Sequence, residues 1–280
     1  MSDPAQDVHV QRTIASPFTE QGTGLHSGLP AHAEVRPAGP DTGVIFRRLD
    51  LKGEPTIPAD VELVSGVEWE TVLGPADASV RTVEHLLAAL ATHRIDNVEV
   101  RLQGSEPPSL DGSSALWCAA IEAAGIVEQE APARTIEVRE AFSLEDGASR
   151  YAVAPYDGYR VSAGIEFDHP VIQRQYASAE IRAGEFCREV APARTFGLQS
   201  WAKALHARGL AMGADFENTI ALTDEGIADG IELRFPDEFV RHKIIDVVGD
   251  LALAGARIRA HIIAERPSHR GNVQLARRLR

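Results

Sequence analysis

From Phe239 to Leu251 the chain reads Phe-Val-Arg-His-Lys-Ile-Ile-Asp-Val-Val-Gly-Asp-Leu, and no other stretch limits the possible folds as tightly. At about 100° per residue this is a helix with Ile244, Ile245, Val247, Val248 and Leu251 on one broad apolar face. His242, Asp246 and Asp250 stack at i,i+4 intervals on another face. Such a helix must bury its apolar side and still find partners for the polar stripe. Two carboxylates one turn apart in the later half of a helix repel each other and oppose the macrodipole, and a bound cation would reverse that sign. An imidazole and a carboxylate, His242 and Asp246, are two thirds of a catalytic zinc shell, which takes three protein ligands and leaves a position for water. A solvated polar face is the plainer reading of the same stripe. If a metal is held, the third ligand comes from elsewhere, and the stretches around His85 and His269 carry candidates.

In chain order, residues 8 to 15 alternate like a strand, and Gln21 to Gly28 holds three glycines that mark a turn. Strands are expected at 32–36 and 43–48, after which proline and acidic residues loosen the pattern to about Val72. Thr82 is a good N-cap, with Glu84 in the first turn and an apolar stripe at Val83, Leu86, Leu87 and Leu90, which predicts a helix to His93. A strand at 97–102 and a helix at 115–124 follow. Glu128 to Pro132 reads as a linker, and strands resume at 134–138, 151–155 and 159–167. Helical stretches come at 184–190 and 198–207, and the metal-face helix is followed by a strand at 257–264 and a short basic helix.

With 280 residues the chain exceeds one ordinary core, and two domains are expected, at 1–130 and 131–280. Both end on a helix-then-strand unit. A shift of 161 residues lays Leu86-Leu87 on Val247-Val248 and His85 on Asp246, as an internal duplication would. Two copies packed face to face would bring His85 to His242 and Asp246, at the kind of boundary where ligand pockets form. A net charge of −13 argues against nucleic acid, whose phosphates need a basic face. The first residues lack a basic start and an apolar run, and no stretch reaches about 18 apolar residues, so no transmembrane segment and a cytoplasmic location are expected. Cys118 and Cys187, far apart and without metal-knuckle spacing, read as small core residues.

Six motifs, Thr23-Gly24-Leu25-His26-Ser27-Gly28, Thr82-Val83-Glu84-His85-Leu86, Leu110-Asp111-Gly112-Ser113, Ala193-Arg194-Thr195-Phe196-Gly197, Phe239 to Asp246 and Ser268-His269, stand in one order. Together they resemble the UDP-3-O-acyl-N-acetylglucosamine deacetylases, the zinc amidases of lipid A synthesis, collinearly from about Val10 onward. The resemblance implies an α+β fold of two similar domains with their helices facing inward and the site between them. It implies zinc on His85, His242 and Asp246, with Glu84 as general base. Thr195 would donate to the oxyanion, and His269 would be the cationic partner and the proton donor to the leaving amine. Asp250 would orient His269, Lys243 and Phe196 would contact the substrate, and His26 would lie near the nucleotide-sugar. The implied substrate is an acylated UDP-N-acetylglucosamine, and a monomer is expected.

Tyr159 to Tyr176 resembles the second-domain insertion that forms the family's acyl passage. Two departures stand out. The loop Trp69 to Gly74 has no cysteine where many members carry one, and the chain stops at Arg280 where some continue. A His2Asp shell takes iron or cobalt as well as zinc. Two other classes fit parts of the pattern: a non-catalytic nucleotide-sugar or lipid-binding protein, which would need neither Glu84 nor His269, and a glycosidase with Glu84 and Asp246 as a metal-free carboxylate pair.

Overall fold

The computed structural model describes residues 9–228 and 230–280. The readings made for Met1 to Val8 lie outside the described residues. The chain begins with β1 (Val10–Ile14), β2 (Phe18–Thr23), β3 (Pro30–Pro37), β4 (Val44–Arg48), β5 (Thr56–Pro58), β6 (Val64–Gly66) and β7 (Val72–Leu73). Then come α1 (Glu84–Thr92), β8 (Val98–Gln103) and α2 (Ala115–Ala124). It continues through β9 (Ile126–Pro132), β10 (Thr135–Glu137), β11 (Phe142–Asp146), β12 (Ser149–Ala154), β13 (Tyr159–Glu166) and β14 (Arg174–Glu180). The last elements are α3 (Ala183–Glu189), β15 (Phe196–Leu198), α4 (Gln199–Ala207), β16 (Ile220–Leu222), α5 (Glu238–Ala252), β17 (Arg257–Glu265) and α6 (His269–Leu279).

Two larger sheets carry the mixed α+β fold, in the orders β2-β3-β8-β4-β5 and β11-β12-β17-β13-β14, with β10 also on β17. The strand that follows α1 in one sheet and α5 in the other is central. β8 runs antiparallel to β3 and parallel to β4; β17 runs antiparallel to β12 and parallel to β13. Hairpins close both edges on both sheets, β2-β3 and β4-β5 in one, β11-β12 and β13-β14 in the other. Strand for strand, the two sheets share order and sense.

α1 packs on α5 more closely than any other pair of helices, and α5 also touches α6, β13 and β14. Both are buried almost all round, including Glu84, His85, His242, Asp246 and Asp250. The crossing is tight because Gly249 faces the first turn of α1. A Cβ on Gly249 would lie 2.0 Å from the Glu84 carbonyl oxygen. Gly249→Ala must therefore push the two helices apart, and overpacking of this kind costs about 1–3 kcal/mol. The expected result is a lower denaturation midpoint together with weaker metal binding; wild-type values for both would show that the helices do not meet this closely.

Several sequence expectations change here. Thr82 does not cap α1: its φ is +52° and the N-cap is Val83, without a side-chain bond. The Thr82 hydroxyl instead lies 3.0 Å from both Glu70 and Glu106 carboxylates. The stretch read as a linker, Glu128 to Pro132, is part of β9, paired antiparallel with β1. Gln21 to Thr23 ends β2 rather than belonging to the turn. Tyr159 to Tyr176 is not an insertion. Its first strand, β13, lies between β17 and β14 in the main sheet, where Val161 and Ala163 are fully buried. The excursion from the sheet comes later, at β15-α4-β16, where β15 and β16 pair parallel and α4 buries no residue. Phe142 to Asp146, passed over in the sequence, forms an edge strand.

Candidate metal centre

The first turn of α1 and the middle of α5 bring His85, His242 and Asp246 together. One ligand atom of each lies within 4.8 Å of the other two. Asp246 Oδ1 is 3.9 Å from His85 Nε2 and 3.6 Å from His242 Nε2, and the two rings meet edge-on at 5.0 Å. These separations are too long for hydrogen bonds. They suit donors that share a cation at about 2.0–2.2 Å, whose tetrahedral edges measure roughly 3.3–3.6 Å. The Nε2 of His242 faces Asp246 and His85, and its Nδ1 is buried with no hydrogen-bond partner among the described residues.

The electrostatics match the same use. Burial holds the His242 imidazole down to about 3 and lowers His85 as well, against the opposing charge of Asp246. Burial would raise the Asp246 carboxyl, but Lys243 and the facing imidazoles outweigh it and hold Asp246 below the usual carboxylate range. Two neutral imidazoles and a carboxylate are the protonation states that metal ligation requires. The donor set therefore fits a divalent ion such as zinc.

Glu84 and His269 flank this trio. Burial, which the charges of Asp250 and Asp246 reinforce and His269 opposes, pushes the Glu84 carboxyl up to about 8. His269 begins α6, and its Nδ1 lies 2.9 Å from Asp250 Oδ2. Burial alone would lower His269, yet the charge and hydrogen bond of Asp250 raise it to about 9. The repulsion anticipated between Asp246 and Asp250 is already offset in the protein. Lys243 Nζ sits 2.9 Å from Asp246 Oδ2, and Asp250 faces His269.

Two residues that the sequence reading passed over complete the arrangement. Thr71, fully buried, donates its hydroxyl to Asp250 Oδ1 at 2.6 Å and its backbone N–H to Glu84 Oε2 at 3.3 Å. Asn272 donates to Asp250 Oδ2 at 2.9 Å. Asn272 stands three positions after His269 on α6 and was legible as a same-face neighbour; Thr71 lies in an irregular segment and left no signal.

The remaining motifs anchor this constellation. Glu238, fully buried at the head of α5, accepts from Arg194 N at 3.0 Å, Arg194 Nε at 2.9 Å and Arg234 N at 2.6 Å. Thr195 is thereby fastened to the start of α5, and its N–H donates to the Gly112 carbonyl at 2.8 Å. Gly112 has φ +76°, and a Cβ there would lie 1.6 Å from the Asn218 carbonyl oxygen, so only glycine fits. The Phe196 ring lies edge-on to His242 at 6.1 Å, and Lys243 Nζ stands 5.7 Å from its centre.

His26 is buried in the turn after β2, where Glu106 accepts from the backbone of His26 and Ser27 at 3.2 and 2.7 Å. Its Nδ1 accepts from Ala211 N at 3.2 Å, which ties the first sheet to the excursion after α4. A narrow cleft lined by Leu25, Thr82, Pro108 and Gly112 reaches His85.

Comparison with known sequences follows the same line. A family model described as UDP-3-O-acyl N-acetylglycosamine deacetylase matches residues 11–280. A protein named UDP-3-O-acyl-N-acetylglucosamine deacetylase from Myxococcus xanthus is 42% identical over 269 residues, 96% of this chain and 86% of its own. Proteins of the same name from Thermosynechococcus vestitus and Pseudomonas entomophila are 43% and 41% identical, over 95% and 96% of this chain and 93% and 89% of theirs.

Proposed function

The chain belongs to the UDP-3-O-acyl N-acetylglycosamine deacetylase family, and on that premise we propose that it hydrolyses the N-acetyl amide of UDP-3-O-(3-hydroxyacyl)-N-acetylglucosamine. The products are acetate and the free amine, in the committed step of lipid A biosynthesis. The observation that carries the reading is the meeting of His85 from α1 with His242 and Asp246 from α5, beside the Asp250–His269 pair.

In this reading His85, His242 and Asp246 hold one zinc ion, and the same donor set would take iron or cobalt. An ion held there would acidify a water and polarise the amide carbonyl. Glu84, buried beside His85 and poised near neutrality, takes a proton from the attacking water. The Thr195 hydroxyl donates to the oxyanion as charge develops on it. His269, kept charged by Asp250, stabilises the same intermediate and passes its Nε2 proton to the departing amine. Asp250 acts through His269 as a positioning residue. Lys243, Phe196 and His26 contact the substrate.

Asp246 has Lys243 on one oxygen and two imidazoles toward the other, surroundings that suit a metal ligand and not one of a free glycosidase pair. Among the described residues no helix is long and apolar enough to cross a membrane; the cytoplasmic location we propose rests on membership of the deacetylase family. We also propose that 1–130 and 131–280 are duplicated domains, a reading supported by the matching strand order of the two sheets.

The test is to incubate the purified protein with acylated UDP-N-acetylglucosamine and follow acetate. Release that stops with a chelator and returns with added divalent metal is expected. No acetate from metal-loaded protein, or release indifferent to the chelator, would contradict the reading.

A further inference from the structure

Away from this centre, three other ligand-type side chains converge: His93 just after α1, Cys118 in α2 and Cys187 in α3. One ligand atom of each lies within 4.8 Å of the other two. His93 Nδ1 is 2.8 Å from the Ala89 carbonyl oxygen, which can only accept, so Nδ1 carries a proton. In the neutral ring that leaves Nε2 with its lone pair, 3.7 Å from Cys187 Sγ and 3.4 Å from Glu122 Oε1. An imidazole fixed through its other nitrogen by a backbone carbonyl is the usual outer support of a metal ligand.

We propose that His93, Cys118 and Cys187 form a second metal site, structural in role, that takes a thiophilic cation of the zinc type, with Glu122 as the fourth ligand. Two sulfurs and one imidazole select zinc over magnesium or calcium, which prefer oxygen. Zinc at about 2.3 Å from sulfur and about 2.0 Å from nitrogen sets donor atoms roughly 3.5–3.8 Å apart, so this cluster needs only a small contraction. His93 and Cys118 are buried, Cys187 is half-buried and the Glu122 side chain is 56% exposed, which gives the ion an entry from solvent. The ion would pin the end of α1, whose first turn carries Glu84 and His85, to α2 and to α3 beyond β9. The proposal does not depend on the reaction catalysed at the first centre.

Cobalt separates the two sites, because thiolate-to-cobalt charge transfer in the near ultraviolet requires sulfur and the His85–His242–Asp246 centre has none. Reduced wild-type protein titrated with Co2+ should develop that band and bind about one ion more than Cys187→Ser. Cys187→Ser, altered at a half-buried position, should lose the band while keeping its far-ultraviolet circular dichroism and its turnover; His93→Gln should weaken the band at equal cobalt. Absence of the band in wild type, or its survival in both variants, overturns the proposal. So does mass spectrometry that finds Cys118 and Cys187 joined as a disulfide in protein prepared without oxidant, since no thiolate pair would then remain for a metal.

Discussion

Glu84→Gln should lower turnover by about 10²- to 10⁴-fold, the range for a positioned general base, and leave the catalytic metal in place. Glutamine keeps the shape of the side chain and can still accept the Thr71 N–H that now reaches Glu84 Oε2 at 3.3 Å. What it loses is the ability to take a proton. Glu84 is not among the three convergent ligands, so occupancy should hold while the rate collapses. Single-turnover rates with metal saturating, read beside metal content, separate the two effects. A near-normal rate would remove Glu84 from the mechanism, and a variant that loses its metal would make it a ligand.

His269→Gln should cost a comparable factor, since a positioned general acid falls in the same range of about 10²- to 10⁴-fold. It should also change the pH profile. His269 must be protonated to act, and its pKa of about 9 places the loss of activity on the alkaline side. Asp250 is the cause of that elevation, by charge and by the 2.9 Å hydrogen bond. Asp250→Asn removes the charge, so the imidazole should give up its proton at lower pH and the alkaline limb should move toward neutrality. A merely structural role for Asp250 would lower the rate without moving the limb. Profiles of kcat/KM for wild type, Asp250→Asn and His269→Gln decide this. If the limb stays in place in both variants, the proton donor is another group, and Lys243 is next to be tried.

The sequence carried the α5 part of the candidate metal centre because its physical signature is local. Helical spacing alone put His242, Asp246 and Asp250 on one stripe of α5, while the cation that the paired carboxylates call for is already supplied in the protein by Lys243 and His269. Joining His85 to that stripe needed the duplicated pattern or the resemblance, since the contact spans the whole molecule. The fold explains why the helices can meet: Gly249 lets the backbone of α5 approach the Glu84 carbonyl. Nothing in the sequence marks that glycine off from an ordinary helical one.

What stayed hidden was hidden for definite reasons. Glu128 to Pro132 is polar and proline-bounded like a linker, yet it is held as strand by backbone pairing with β1, which composition does not encode. Tyr159 to Tyr176 reads in sequence as a strand, a turn and a further strand, and only the sheet order shows β13 to be an interior strand of the main sheet. Thr71 reaches Glu84, Asp250 and His269 from an irregular segment without periodicity. Cys118, Cys187 and His93 have no mutual spacing that a motif would capture; α2, α3 and the residue just after α1 deliver them to one place.

The most direct test of the central claim, that α1 and α5 hold one catalytic ion through His85, His242 and Asp246, is a metal count in the Cys187→Ser background, where the second site adds nothing. The parent should carry about one divalent ion per chain. His85→Ala, His242→Ala and Asp246→Ala, each confirmed as folded by circular dichroism, should carry far less. Full occupancy in all three would contradict the account.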